Sequence, residues 1–585
     1  MHFFQIIMKK FLILIIYTCL FVVLSASAQS FDYATIAPHP RLLLKKGDVS
    51  KMRELPAKSA NAQSVHNRIM AVADGYLNAE PLKYEKIDNS LSHLSAEALK
   101  RIFYLSYAHV MTDDMGYVAA ADREMLAVSA FEDWNPTNLS DVAEMTMALS
   151  IGYDWLYRRL SVRSRSIIGT AIYEKGLRAS AVGDVAAWNM PLKENQICNA
   201  GLIYGALATL ERSPEYCKSL ISKCLESNKA AQKEYGAHGG YPGCYDCAVL
   251  GSSFEAMLVA ALESSLKTDA DLAKQEGFMR SAEFMSHLVA PSNSVFNFGD
   301  CESQSAKLNP AKYWFAHKTN NASWVAIDEQ LIKANQIETD AFLPLYMIVS
   351  SSMNLSNLAM PTSKMWYNEG RSPLFIYRSG WAKEDAYFAI KGGEAAADKP
   401  FVDAGSFVYE YDGVRWVVFD GENTHNTLLF NGKGGSTAGI AEMQRGYETT
   451  REKGAELDLT PVFSDYATSV KRSVTLDKKN YLTIKDHIVN NNQPSMVEWS
   501  VATQANAEIV APQVIMLTQD GKTLYLRIKN RGNAVAKVWK AAEQGGINRV
   551  GFIVELRAGG SVDIDVTLSP VKGNIISRFK QQVLR

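Results

Sequence analysis

Apolar side chains recur at steps of three and four residues over most of the first 350 positions. Leu99, Ile102, Phe103, Tyr107 and Val110 mark one stripe, Met145, Leu149, Tyr153 and Leu156 a second, and Ile197, Leu202, Ala206 and Leu210 a third. That spacing places each set on one face of an α-helix. Met257, Ala260, Ala261 and Ser264 continue the pattern with small residues that let neighbouring helices approach closely. Short polar connections, Asn135–Asn138 and Ser213–Glu215 among them, predict antiparallel helical hairpins. No repeat of fixed length is visible, which disfavours a regular solenoid.

The pattern changes near residue 355. Apolar and β-branched residues then come in short runs, predicting strands at Leu374–Tyr377, Tyr387–Ile390, Ser406–Tyr411, Val414–Asp420, Thr427–Asn431, Thr468–Leu476, Tyr481–Ile488, Met496–Ala502, Thr523–Ile528 and Ser561–Thr567. Asp412–Gly413 joins two of these as a two-residue hairpin, and Asn431–Gly432 is a second turn signal. Helices followed by strands mean separate domains in an α+β chain, not a βαβ fold. The expected division is a helical domain over 29–355, a connection over 356–368 and an antiparallel β-sandwich over 369–585, with a further break near 500.

The N-terminus reads as an address. Lys9–Lys10, the apolar run Phe11–Leu24 and the small residues Ser25–Ala28 predict an export signal over 1–28, cleaved near Ala28, and a bacterial periplasmic destination. The apolar run is short for a membrane span. At 585 residues and a net charge of −1 the chain gives no reason to expect nucleic acid or a membrane surface as partner, so a polyanion would need a local basic cleft. Six cysteines follow the signal: Cys198, Cys217, Cys224, Cys244, Cys247 and Cys301. Cys244-x-x-Cys247 could be a redox pair or half of a metal site, but no second such pair or nearby pair of histidines completes it, which favours a structural or unpaired reading. There is no phosphate-loop motif, no H-E-x-x-H and no G-x-S-x-G.

The segment Phe401–Gly434 carries the clearest resemblance. Asp403–Phe407, Gly413–Trp416, Asp420–Gly421 and His425–Lys433 match, in order, pieces of a pattern typical of the heparinase II/III-like polysaccharide lyases. His39–Leu44 resembles the start of the mature chain in that family, and Asn297–Asp300 one of its turns. The resemblance implies an incomplete α/α toroid of helical hairpins ahead of the sandwich. It also implies cleavage of a uronic-acid glycan by β-elimination, in a cleft between the two domains. Lys399 and Phe401 stand where the family has two histidines. The second of those, with an Asp and a His further on, binds zinc in some relatives. Asp420 and His425 match the other two ligands, but Phe401 cannot coordinate metal. No cofactor is required by this reading, and a structural zinc is implied only as far as those two residues carry it.

β-Elimination needs a base for the C5 proton, a group that neutralises the C6 carboxylate and an acid for the departing oxygen. Trp188–Met190 and Glu194–Gly201 resemble a family helix start, with Asn195 and Asn199 retained and a Trp replaced by Glu194. His238–Cys247, followed by Gly251–Phe254, resembles the glycine-rich loop ahead of the catalytic Tyr. The aligned Tyr positions fall on Cys247 and Leu250, so Tyr245 is the acid/base candidate, with Tyr241 as alternative. Asn195 and Lys399 would hold the carboxylate, with His238 at the cleft edge. Trp188, Asn199, Tyr241 and Glu194 would contact sugar, and Trp314 is a further stacking candidate. The partner implied is an acidic polysaccharide. Two other readings stay open: a lyase-like protein that binds glycan without cleaving it, suggested by positions 399 and 401 and the altered Tyr run, and a glycosidase using Glu194 and Asp246.

Overall fold

The computed structural model describes residues 31–571 except 184–185, 300, 357, 396–401, 420–425, 530–533 and 542–545. The export signal expected over 1–28 lies outside the described residues.

Up to residue 350 the chain folds into helices of two kinds. Ser92–Thr112, Leu139–Trp155, Lys193–Ala208, Tyr245–Leu266, Pro310–Lys318 and Leu343–Ser350 are buried on most of their faces. Each packs against the next in that order, and the last returns to the first, so they form an inner ring. The alternate helices, such as Ala60–Tyr76 and Pro214–Gln232, bury one stripe and expose the other, as outer helices do. Small residues set the spacing. A Cβ on Gly201 would stand 2.0 Å from the Ala143 carbonyl oxygen, so only glycine lets the second and third inner helices meet there. Because inner and outer helices alternate in antiparallel pairs, the inner N-termini gather at one end of the ring. Tyr245–Leu266 is, among the described residues, long and apolar enough to cross a membrane, but it is an inner helix mostly covered by its neighbours.

Asp154, at the end of the Leu139–Trp155 helix, anchors the N-terminal segment. Its carboxylate accepts from the Arg41 and Leu42 backbone N–H groups at 2.9 and 2.8 Å and lies 2.5 Å from His39 Nδ1. The His39–Leu44 run is thus a strap across the ring.

Beyond 365 every strand pairing among the described residues is antiparallel, in three sheets. A five-stranded sheet runs, in spatial order, Met365–Asn368, Leu374–Arg378, Tyr387–Lys391, Phe407–Tyr411 and Val414–Val417. Leu374, Ile376, Tyr387, Ala389 and Val408 join the helical core, while Phe375, Tyr377, Phe388, Ile390 and Phe407 join the core of the sandwich. This sheet is therefore covered on both faces and cements the two halves. A nine-stranded sheet faces it, and a four-stranded sheet built on Ser495–Thr503 completes the sandwich.

Several expectations shift. Met365–Asn368, assigned to the connection, is a strand paired with Leu374–Arg378. Residue 500 sits inside the Ser495–Thr503 strand, and the nine-stranded sheet takes strands from both sides of it, so the sandwich does not break there. The strand from Val414 ends at Val417. Strands at Ile440–Glu448, Lys453–Asp458, Asn506–Ala511, Val514–Gln519, Val535–Trp539 and Asn548–Leu556 were not anticipated. Both turn signals hold: Asp412 and Gly413 have φ of 54° and 71°, and Asn431 and Gly432 of 53° and 74°. Two successive positive φ values are what a type I′ hairpin requires.

Candidate active site

The inner N-termini open onto a groove made of two neighbouring hollows. One, of about 490 Å³, is lined by Arg68, Tyr245, Asp246, Val249, Lys307 and the 337–340 loop. The other, of about 480 Å³, is lined by Lys193, Asp246, Cys247, Leu250, Glu302, Ser303 and Lys307. Asp246 and Lys307 belong to both. Helix N-termini carry partial positive charge and unpaired N–H groups, so this end of the ring favours an anion before any side chain is counted. Arg68, Lys193 and Lys307 add cations from three separate parts of the chain, set against Asp246, Glu302, Glu338 and Asp340 on the same walls. Lys193 pairs with Glu194 at 2.9 Å and Lys307 with Glu338 at 3.5 Å, both on partly exposed side chains that water screens.

Tyr245 opens its helix, with Cys244 as N-cap. Its side chain is only 4% exposed, and burial pushes its phenol well above the ordinary range, the Lys307 backbone N–H opposing that shift in part. No nearby cation lowers it. Asp246 holds the groove wall: Oδ2 accepts from the Glu302 and Ser303 N–H groups, each at 2.9 Å, and Oδ1 from Ser303 Oγ at 2.5 Å.

The other predicted residues lie elsewhere. Asn195 is fully buried and donates to the Ala187 and Trp188 carbonyls and to Ser227, while Asn199 donates to Asn195 Oδ1 at 2.8 Å. They fasten the turn at 186–189 onto the ring, which leaves no Asn195 amide for a carboxylate. Trp188 is covered by Lys223, whose Nζ stands 3.6 Å from the ring centre. Tyr241 is buried beside Gln196, its hydroxyl 3.4 Å from Oε1. His238 is exposed and contacts Arg280 at 2.7 Å, and its carbonyl accepts from Trp366 Nε1 across the domain boundary. Trp314 lines a hollow at the C-terminal end of the ring, away from Tyr245. Glu194 sits at the groove edge through its pairing with Lys193. Of the residues named from sequence, among the described residues, Tyr245, Asp246, Glu194, Cys247 and Leu250 reach the groove or its rim.

Lys193, Lys307 and Arg68 went unnoticed because they converge only once the ring closes. A second missed feature is Glu255, fully buried among amides. Its Oε1 accepts from Asn228 and Gln232, each at 2.5 Å, and Gln196 also bonds to the carboxyl. Burial pushes its pKa up to about 7, the amide bonds opposing. Asn228 and Gln232, four residues apart, were a readable signal for polar groups on an inward face.

In the sheet half, Asp403 bonds Lys391 Nζ at 2.6 Å and accepts from the Gly299 N–H at 2.9 Å. Asn426 bridges Phe407, Val418 and Ala502 through three backbone bonds. Lys399, Phe401, Asp420, His425 and Asp300 lie outside the described residues. Asp420 and His425 offer two of the four donors that a tetrahedral zinc takes.

These features define the fold: a helical toroid joined to an antiparallel β-sandwich. Among solved structures, heparinase III matches with a TM-score of 0.60 and 11% identity, covering 84% of this chain and 79% of that one. The heparan sulfate lyase of Pedobacter heparinus matches at 0.58 and 12%, covering 91% and 92%. A variant of the chondroitin AC lyase of Streptomyces coelicolor A3 matches at 0.50 and 11%, covering 92% and 81%. No protein-family model matches the chain, and no curated protein matches it.

Proposed function

We propose that this protein is an exported polysaccharide lyase that cleaves a uronic-acid glycan by β-elimination in the groove at the inner N-termini. The observation that carries the reading is the meeting of Tyr245 with Arg68, Lys193, Lys307 and a helix N-terminus on a lyase-like fold. The C6 carboxylate sits against Lys193 or Lys307, which replace Asn195 in that role. Charge neutralised there stabilises the enolate-like intermediate that forms as the C5 proton passes to a carboxylate of the groove wall, Glu302 or Glu338. Burial keeps Tyr245 protonated, so its task is to deliver a proton to the departing glycosidic oxygen. Export to the periplasm rests on the N-terminal segment alone.

A specific observation also favours glycan binding without cleavage: no histidine lines the groove among the described residues, and nothing there activates Tyr245 as a base. Asp246 argues against the glycosidase, since both its oxygens are committed to the 301–303 loop. Digestion of heparan sulfate, hyaluronan, alginate and pectic substrates separates the readings. Lyase action gives the ultraviolet absorbance of an unsaturated uronate, and Tyr245→Phe lowers that rate about 10²-fold or more. New reducing ends without that absorbance would replace the lyase reading with hydrolysis. Saturable binding with neither product would leave only the binding reading.

A further inference from the structure

We propose that Cys244, Cys247 and Cys301 form a thiol–disulfide exchange site on the rim of the groove. Cys244 caps the Tyr245–Leu266 helix, and its Sγ accepts from the Cys247 N–H at 3.3 Å. The two sulfurs are 2.9 Å apart, a thiol–thiol contact at the N-terminus of a helix; the Cys247 contact opposes, but the Cys301 contact and burial push the Cys244 thiol well above its ordinary range, so Cys247 is the sulfur that reacts first. Cys301 faces Cys244 from the adjoining loop, and its Sγ reaches Asp246 Oδ2 at 3.4 Å. Cys247 is partly exposed and lines the hollow that also holds Lys193, Lys307, Asp246 and Glu302, so it is reachable from the groove. Cys217 and Cys224, by contrast, are buried along the Pro214–Gln232 helix.

The reaction balances with a small-molecule or protein disulfide as oxidant. The Cys247 thiolate attacks that disulfide and displaces one thiol, giving a mixed disulfide. Cys244 then attacks the Cys247 sulfur and releases the second thiol. Two cysteine thiols lose two electrons and two protons, and one external disulfide becomes two thiols. Attack of Cys301 on the Cys244 sulfur exchanges the bond without net oxidation and frees Cys247. The first link closes within the helix start, whereas the second ties the 301–303 loop to it. Because Asp246, between the cysteines, holds that loop, the pair of states changes the groove wall.

The test treats the folded full-length chain with oxidised glutathione, alkylates it after denaturation and maps the peptides by mass. A Cys244–Cys247 link is expected, and a Cys244–Cys301 link is expected to replace it in Cys247→Ser. In the reduced folded protein, Cys247 should react with a thiol reagent about tenfold or more faster than Cys217. Full alkylation of Cys244 and Cys247 after oxidation would overturn the proposal, as would glutathione left on Cys244 in Cys247→Ser. Mass reports bonds and not turnover, so the outcome is independent of whether the groove proves to cleave glycan.

Discussion

The ion pairs of the sandwich and Glu255 in the helical ring treat a buried carboxyl in opposite ways, although the ring also holds one buried pair, Lys312 with Asp328 at 2.5 Å. In the sandwich, Lys391 meets Asp403, and Arg472 forks onto Asp486 at 2.7 and 2.9 Å, each partner being nearly fully buried. These ions also bond backbone: Arg472 reaches the Gly405 carbonyl, and Asp403 the Gly299 N–H. In the helical ring, Glu255 has only amides for company. The first arrangement fixes geometry with paired charge, and the second leaves a carboxyl that titrates near pH 7. The segment that carries the family resemblance is therefore largely a clamp. Asp403, Asn426 and Thr427 spend their bonding capacity on the fold, while the groove joins Tyr245 and Asp246 of the loop motif to cations that no motif marks.

The sharpest way to break this contrast is to unpair a charge in the sandwich. Lys391→Met leaves Asp403 buried without its cation, which costs about 3–5 kcal/mol. Urea unfolding should show that loss. A change under 1 kcal/mol would mean that water already reaches Asp403 and the clamp is not sealed.

Glu255 supplies the next test, with the sign worked out. Its folded pKa is about 7, above the ordinary carboxylate value, so the folded state holds the proton more tightly than the unfolded one. Its contribution is then fully present below the unfolded value and is lost as pH rises through about 7. The span corresponds to about 3 kcal/mol. The difference between wild type and Glu255→Gln, followed by chemical unfolding from pH 4 to 8, should move in the variant's favour as pH rises. A flat difference would place a cation beside Glu255.

How much of this could be read in the chain depends on how local the cause was. Asp412–Gly413 and Asn431–Gly432 announced their hairpins because two neighbouring residues decide two positive φ values. Asp520–Gly521, with φ of 50° and 73°, carries the same signal and would have exposed the Val514–Gln519 strand. Ile440–Glu448 gave little sign, since its run IAEMQRGYE has few β-branched residues and much of it faces solvent. Helix periodicity placed the ring helices well. It could not tell that Asn195 and Gln196, adjacent at a helix start, both turn inward, because a residue in the first turn is committed only by what packs on it. Gly251 illustrates that dependence: a Cβ there would stand 2.2 Å from Gln196 Oε1. The groove cations come from residues 68, 193 and 307, and only the closed ring brings them together.

The smallest effect is the most informative about that groove. Lys193 and Lys307 are partly exposed, and their pairings with Glu194 and Glu338 are of the kind worth under about 1 kcal/mol. Replacing either with Ala should leave thermal unfolding within about 1 °C of wild type. If a glycan carboxylate takes the place of Glu194 or Glu338, each replacement should weaken heparan or alginate binding about 5- to 10-fold in low salt, about 1 kcal/mol. The gap should narrow as salt rises toward 0.5 M, because the Debye length then falls to about half its physiological value. Arg445, an exposed cation of the sandwich paired with Glu456, is the control: Arg445→Ala should leave binding unchanged. Equal losses in all three variants would show that the glycan responds to diffuse surface charge, and that the inner N-termini hold no special place in its recognition.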